Sequence, residues 1–202
     1  MKRNATIVIL AFLIGLPRIA YAQRPAAPPV PAEIEVPPGY GPFLAGHAIG
    51  TQGYVCVAIG ANFRWAPFGP QAALFNADGK QQLTHFLDPT PYSLLPNPTW
   101  LHSRDSSVVW GQPVASSSDP NYVAADAIPW LLLEAAVVGD GPTGGNALTV
   151  TRYIQRLNTS GGKAPTTGCA AAADIAKRAL VPYEADYFFF RERVRDGGDD
   201  RD

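Results

Sequence analysis

The chain has 202 residues, with 16 Lys and Arg against 17 Asp and Glu, so its net charge is −1. That balance excludes the strongly basic surface that nucleic-acid binding requires, and we expect no nucleic-acid partner. The length suits about one domain with a substantial core.

The N-terminus carries the pattern of a secretory signal. Lys2 and Arg3 precede an apolar stretch at residues 5–16, and Ala20-Tyr21-Ala22 has the form of a cleavage site. The stretch is shorter than the roughly 20 residues that span a bilayer. We therefore expect residues 1–22 to be a signal peptide and the protein to be exported, periplasmic or secreted, with no membrane span.

Composition then divides the remaining chain. Residues 23–39 are proline-rich, which favours an extended lead-in that stays outside the core. Residues 191–202 are charged and interrupted by glycine, which is typical of a disordered tail. The β domain is expected between them, at residues 40–190.

The first half of that domain is rich in strand signals. Asp78-Gly79 suits a tight turn between two strands, and Pro113 indicates a strand at a sheet edge or a bulge. The predicted strands are residues 53–59, 72–75, 81–87 and 107–114.

In the second half, β-branched and aromatic residues predict further strands at 128–138, 147–157 and 181–190. The alanine-rich residues 170–180 favour a helix. Many short strands, with 20 Pro and 19 Gly in the chain, predict a mostly β fold. We expect a single-domain β-sandwich or barrel with one short helix near the C-terminus.

A G-x-G-x-x-G pattern occurs at Gly139, Gly141 and Gly144. A dinucleotide site would need a helix after it and an acidic residue about 20 positions further on. The following residues alternate like a strand instead, and Pro142 interrupts the motif. We interpret the segment as a hairpin loop and expect no cofactor.

The chain has two cysteines, Cys56 and Cys169. An isolated pair in an exported protein predicts a disulfide. A metal or redox pair is the alternative, although no C-x-x-C spacing favours it.

Three histidines, His47, His85 and His102, raise the question of a metal site. The candidates are His85, His102 and Asp105, but no close histidine spacing supports them. His85 alternates with leucines, which predicts a satisfied core residue. His47 and His102 lie near Gly and Pro and are expected in loops.

Arg152 and Arg156 share a predicted strand face with apolar residues. Arginine in such a place requires a partner, and Asp186 or Asp105 could form a structural ion pair. The alternative is an anion site made by both arginines with Lys163.

Aromatic residues could stack on sugars or pack the core. They are Trp65, Trp100, Trp110, Trp130 and the run at 187–190. Core packing is the commoner use, and glycan binding is the alternative.

Two classes of function follow. The first is an exported non-catalytic protein that binds a glycan or a protein partner. The second is a small metal-dependent or hydrolytic enzyme, in which His85, His102 and Asp105 would converge. Because no catalytic constellation can be assembled by spacing, we favour the first, and the enzyme question stays open.

Several phrases resemble the exported bacterial and fungal family known as domain of unknown function 3455. They are GTQGYVC at 50–56, PQAALFNADGK at 70–80 with HF at 85–86, AIPWLLLEA at 127–135, IQRLNTSGGKAPTTGC at 154–169 and VPYEADYFF at 181–189. Residues 105–108 depart from the family's Asp-Gly-Ser pattern. The resemblance implies a Cys56–Cys169 pair and carries no established activity.

Overall fold

A computed structural model describes residues 25–194, and it shows a closed antiparallel barrel of eight strands. Each strand pairs with the next along the chain, and β8 closes the barrel against β1. The strands are β1 (Tyr40–Ile59), β2 (Asn62–Phe75), β3 (Gln81–Thr90), β4 (Ser93–His102), β5 (Val108–Ser117), β6 (Trp130–Gly139), β7 (Tyr153–Gly161) and β8 (Arg178–Glu192). The predicted signal peptide and residues 195–202 of the predicted tail lie outside the described residues.

The mostly β prediction is confirmed, and the turn between β2 and β3 has the expected chemistry. Asn76 Oδ1 accepts hydrogen bonds from the backbone N–H groups of Asp78 and Lys80. Gly79 takes a φ of 71°, a conformation that glycine adopts without the steric cost of a Cβ. This turn sets the register in which His85 lies opposite Ala72.

The predicted helix at 170–180 is reduced to a 3₁₀ turn at Ala172–Asp174. The next residues are held by β1, since Cys56 N–H donates to Lys177 O and Ala176 N–H donates to Cys56 O. These pairings override the helix propensity of the alanines.

Two strand assignments also needed correction. β7 begins at Tyr153, because residues 147–151 form turns rather than the predicted strand. β4, with Pro96 and Pro98, was not predicted at all. Pro113 lies at a register shift in β5, which confirms the bulge alternative, since a closed barrel leaves no edge.

The barrel interior holds the main core. Its buried side chains include Ala48, Leu74, Leu83, Trp100, Val109, Leu133, Ile154, Tyr187 and Phe189. On β1 the inward positions include the small residues Ala48 and Gly50, and a Cβ at Gly50 would collide with the backbone of β2. This close approach of β1 and β2 leaves the interior volume to the aromatic residues of β4 and β8.

A second apolar cluster covers the outer face of β6, β7 and β8. Ile34, from the proline-rich lead-in, is fully buried there, and Gln155 Nε2 donates to its carbonyl oxygen at 2.7 Å. The expectation that the lead-in stays outside the core is therefore wrong for Ile34. Residues 153 and 155 point outward while 154 and 156 point inward, as strand alternation requires.

Within residues 25–194, no helix has the length and apolar character needed to cross a membrane.

Candidate functional site

The barrel encloses a cavity of about 320 Å³ towards one end. Its walls include Leu87, Pro98 and Leu131, which come from three different strands. Pro67 and Pro113 also line it and are exposed, so the cavity reaches the surface. Small-molecule sites in proteins have this form, with mostly apolar walls and a few polar groups.

An aromatic layer forms the floor of the cavity. The rings of His85 and Trp100 stack with centroids 4.2 Å apart, and Tyr187 meets both edge-on. All three side chains are buried. Register explains the grouping, because His85 is paired with Trp100 across β3 and β4.

His85 is a satisfied core histidine. Its Nδ1 lies 2.9 Å from Thr99 O, a pure acceptor, so Nδ1 carries the proton and donates. Burial lowers the pKa of His85 to about 3. The imidazole is therefore neutral at physiological pH.

Arg156 brings a positive charge into the cavity from β7. Its Nε and Nη2 donate to Pro129 O at 3.2 and 2.8 Å. Burial raises the pKa of Tyr54, Tyr183 and Tyr187, and the positive charge of Arg156 opposes that rise in each. The guanidinium thus lies among buried phenols rather than among carboxylates.

The predicted partners of the arginines are engaged elsewhere. Asp186 binds His47 Nδ1 at 2.8 Å and accepts from Asn158 Nδ2 at 2.8 Å. Arg152 is exposed and donates to Thr151 O. Among the described residues, neither arginine forms an ion pair, so the predicted pairing with Asp186 or Asp105 is wrong.

The predicted three-residue anion site does not assemble either. Lys163 Nζ donates to Ala125 O instead. Of the three basic residues in that hypothesis, Arg156 alone lines the cavity.

His102 and Asp105 do meet, near the β4–β5 turn. Asp105 Oδ1 accepts from His102 Nδ1 at 2.8 Å and from Ser107 Oγ at 2.7 Å, while Oδ2 accepts from Ala147 N–H at 2.9 Å. Burial by itself would raise the pKa of Asp105. The hydrogen bonds outweigh this effect and hold the pKa well below its usual range. His102 is the last residue of β4, not a loop residue as predicted, and His47 lies in β1.

This Ser, Asp and His group has the wrong connections for a nucleophile. Ser107 is fully buried and donates to the carboxylate, whereas a catalytic serine donates to the histidine. Ser107 Oγ also accepts from Leu148 N–H at 3.1 Å, which ties two loops together. The group's geometry is that of a structural junction.

The metal candidates do not converge. His85 lies in the aromatic floor, while His102 and Asp105 bind each other at the turn. Across residues 25–194, no three His, Cys, Asp or Glu side chains are placed to hold a metal ion.

The glycine-rich segment is a loop between β6 and β7, as predicted. Gly141 N–H donates to Gly145 O at 2.7 Å, and Gly144 has a φ of 83°. The next element is a strand, so the strand–turn–helix context of a dinucleotide site is missing here.

The tryptophans serve mainly as packing residues. Trp100, Trp110 and Trp130 are buried, and the aromatic run at 187–190 is buried with them. Trp65 is half-buried and donates from Nε1 to Thr167 O at 2.9 Å. The predicted core use of these residues accounts for the run and for three of the four indoles.

The predicted disulfide is confirmed. Cys56 in β1 is bonded to Cys169 in the loop before β8, with their Cα atoms 5.5 Å apart. It holds that loop against the barrel wall.

Sequence reasoning found Arg156 and His85 but missed the cavity that they share. Gln52, Trp100 and Tyr187 also line it, and their alternation in β1, β4 and β8 was the available signal. Only closure of the barrel, which pairs β8 with β1, brings those strands around one space.

Comparison with known proteins gives one match. Neither a curated protein nor a solved structure matches the chain. The family described as "Protein of unknown function (DUF3455)" matches residues 37–191, a range that contains β1 to β7 and nearly all of β8. The chain therefore belongs to the DUF3455 family.

Proposed function

We propose that this protein is an exported, non-catalytic binding protein whose barrel holds a small, mainly apolar molecule in its interior cavity. The observation that carries the proposal is the cavity of about 320 Å³ on the aromatic floor. Its size lies in the range of small-molecule sites. An interior site also suits such a ligand better than a glycan, which would need more polar partners than this lining offers.

The walls support binding because they are largely preformed. Pro70, Pro98 and Pro113 each fix a backbone φ, and all lie within hydrogen-bonded strands. A rigid site loses little conformational entropy when it is filled. Burial of apolar surface, worth about 25 cal/mol per Å², would supply the affinity.

The chemistry of the lining favours binding over catalysis. Its one histidine, His85, is neutral and held by Thr99 O, so it is a poor general base. Arg156 carries only N–H donors on its guanidinium, and two of them are bound to Pro129 O, so it offers no acceptor for a substrate proton. Ser107 and Asp105, the remaining candidates, do not line the cavity.

Export is supported by the disulfide and by the residues that precede the described structure. Cys56–Cys169 fits an extracytoplasmic protein, because disulfides persist in oxidising compartments. We propose that residues 1–22 direct export and are removed. N-terminal sequencing of the exported protein should then begin at Gln23, whereas a mature chain that begins at Met1 would contradict this.

The binding proposal is tested by tryptophan fluorescence with octanol as the probe. Trp100 lines the cavity, while Trp110 does not. We expect a saturable fluorescence change in the wild type and in Trp110→Phe, but not in Trp100→Phe. Calorimetry should show that octanol still binds Trp100→Phe, and circular dichroism should show that both variants fold.

Two results would overturn the proposal. One is the absence of saturable octanol binding to the folded wild type. The other is a fluorescence change that persists in Trp100→Phe and disappears in Trp110→Phe, which would place the probe elsewhere.

A further inference from the structure

The lining of the cavity contains one formal charge, and none of residues 25–194 supplies a counter-ion to it. Arg156 is the only Lys, Arg, Asp or Glu in the lining, and no described carboxylate forms an ion pair with it. A partly buried guanidinium is costly unless an anion accompanies it. The rest of the lining is mainly apolar and offers this charge little solvation.

The guanidinium also has hydrogen-bond donors to spare. Of its five N–H groups, two are used on Pro129 O. Burial raises the pKa of the Tyr187 hydroxyl, a neutral group, and the positive charge of Arg156 lowers it, but the guanidinium does not find a carboxylate there. The remaining N–H groups of Arg156 can therefore donate to an acceptor that occupies the cavity.

Two further polar groups of the lining are poorly satisfied. Gln52 is only 8% exposed, yet its side-chain amide makes a single long contact, 3.5 Å to Gly53 O. The buried Nε1 of Trp100 has no hydrogen-bond partner within the described chain. Trp110 and Trp130, which do not line the cavity, also have buried indole N–H groups without a partner among the described residues, so the indole does not single out this site. Buried polar groups normally find partners, and the Gln52 amide in the lining is the one that a bound acceptor would complete.

Charge and geometry together favour a carboxylate over a phosphate monoester or a glycan as that acceptor. A single guanidinium balances one negative charge, whereas a phosphate monoester carries nearly two near neutral pH. The planar carboxylate matches the fork of a guanidinium. A neutral glycan would bring no charge to pair with Arg156, and an acidic one would bring a largely polar body into a mainly apolar lining.

We propose, building on the binding function above, that the natural ligand is an amphipathic monocarboxylate. Its carboxylate binds Arg156, with Gln52 as a further donor, and its apolar body lies between Leu87 and Leu131. The probe for this class is octanoate.

The experiment compares probes that share one apolar chain and differ in the head group. Octanoate, octanol and octyl phosphate are titrated by calorimetry into the wild type, Arg156→Gln and Arg156→Lys. Arg152→Gln is the matched control, because Arg152 is exposed and outside the cavity. Circular dichroism establishes that each variant is folded.

We expect octanoate to bind the wild type and Arg152→Gln at least about tenfold more tightly than octanol, as a charge-assisted pair would produce. Arg156→Gln should abolish that preference and leave octanol affinity within about twofold. Arg156→Lys should retain part of it, since the charge remains without the fork.

The two proposals fail in distinguishable ways. Equal binding of octanoate and octanol to the wild type would overturn the carboxylate and leave the apolar cavity in place. A preference for octyl phosphate, or an octanoate preference that survives in folded Arg156→Gln, would also overturn it. If neither octanol nor octanoate binds, both proposals fail.

Discussion

At the scale of single residues, His85 and Asp105 show two ways in which this barrel accommodates ionisable side chains. His85 is neutral, stacked on Trp100 and bonded to Thr99 O. Asp105 is ionised and gathers donors from two loops. Both were candidates for one metal site because of their residue types, although no spacing supported it, and the structure gives them separate roles with opposite charge requirements.

His85 should make stability depend on pH. Its pKa is about 3 in the folded protein against 6.5 ordinarily, because burial disfavours the imidazolium. Below about pH 6.5 the unfolded chain takes up a proton that the folded protein refuses, so stability falls as pH falls towards 3. The slope approaches about 1.4 kcal/mol per pH unit.

The measurement is urea unfolding at pH 7 and pH 5 for the wild type and for His85→Gln. The wild type should lose about 2 kcal/mol more than the variant over this interval. Other titrating groups are common to both proteins and cancel in the comparison. Identical losses would show that His85 is not buried neutral.

Asp105→Ala should destabilise the protein by roughly 3 kcal/mol, because it leaves the buried donors of Ser107 without an acceptor. Asp140→Ala, at an exposed residue in the neighbouring loop, should stay within about 0.5 kcal/mol. Urea unfolding at pH 7 measures both. A free energy of unfolding for Asp105→Ala that equals the wild-type value would contradict the junction.

At the scale of elements, strands could be predicted where the pattern was local. Residues 53–59 and the turn at 76–80 were recognised from their own side chains. Residues 170–180 were not, since pairing with β1 and the disulfide at Cys169 decide their conformation. The same limit applies to the lead-in. Its proline content predicts an extended segment but not the apolar outer face of β6, β7 and β8 that buries Ile34.

Two aliphatic residues test the element packing. Ile34 in the lead-in is fully buried, whereas Leu94 at the β3–β4 hairpin tip is 94% exposed. Ile34→Ala should cost about 2–4 kcal/mol through lost burial and a residual cavity, and Leu94→Ala should cost less than about 0.5 kcal/mol.

Thermal and urea unfolding of the two alanine variants make the comparison. Equal, small effects would mean that the lead-in contributes little to the fold.

At the scale of the whole molecule, closure of the barrel cannot be predicted from local sequence patterns. The residues of the candidate site come from all eight strands. Seven of those strands were each predicted from an isolated local pattern, and β4 was not predicted. Arg156 was recognised as an unusual charge on an apolar face. Its place in a cavity follows only from pairing of β8 with β1, which depends on the whole sheet.

The disulfide should stabilise the closed barrel. Cys56 and Cys169 are 113 residues apart, and on the chain-entropy model the bond destabilises the unfolded chain by about 5 kcal/mol. Replacing both with alanine should lower the melting temperature markedly. A reductant should lower that of the wild type but not that of the double variant, and a wild type that is indifferent to reduction would contradict this.

The central claim is that the barrel interior binds a small apolar molecule. The most direct measurement is methyl NMR of the wild type during an octanol titration. We expect saturable shifts at Leu87, Leu131 and Leu133, which line the cavity, and little change at Leu94 and Leu95 on the exposed hairpin tip. Shifts confined to the hairpin tip, or none that saturate, would show that the cavity is not a binding site.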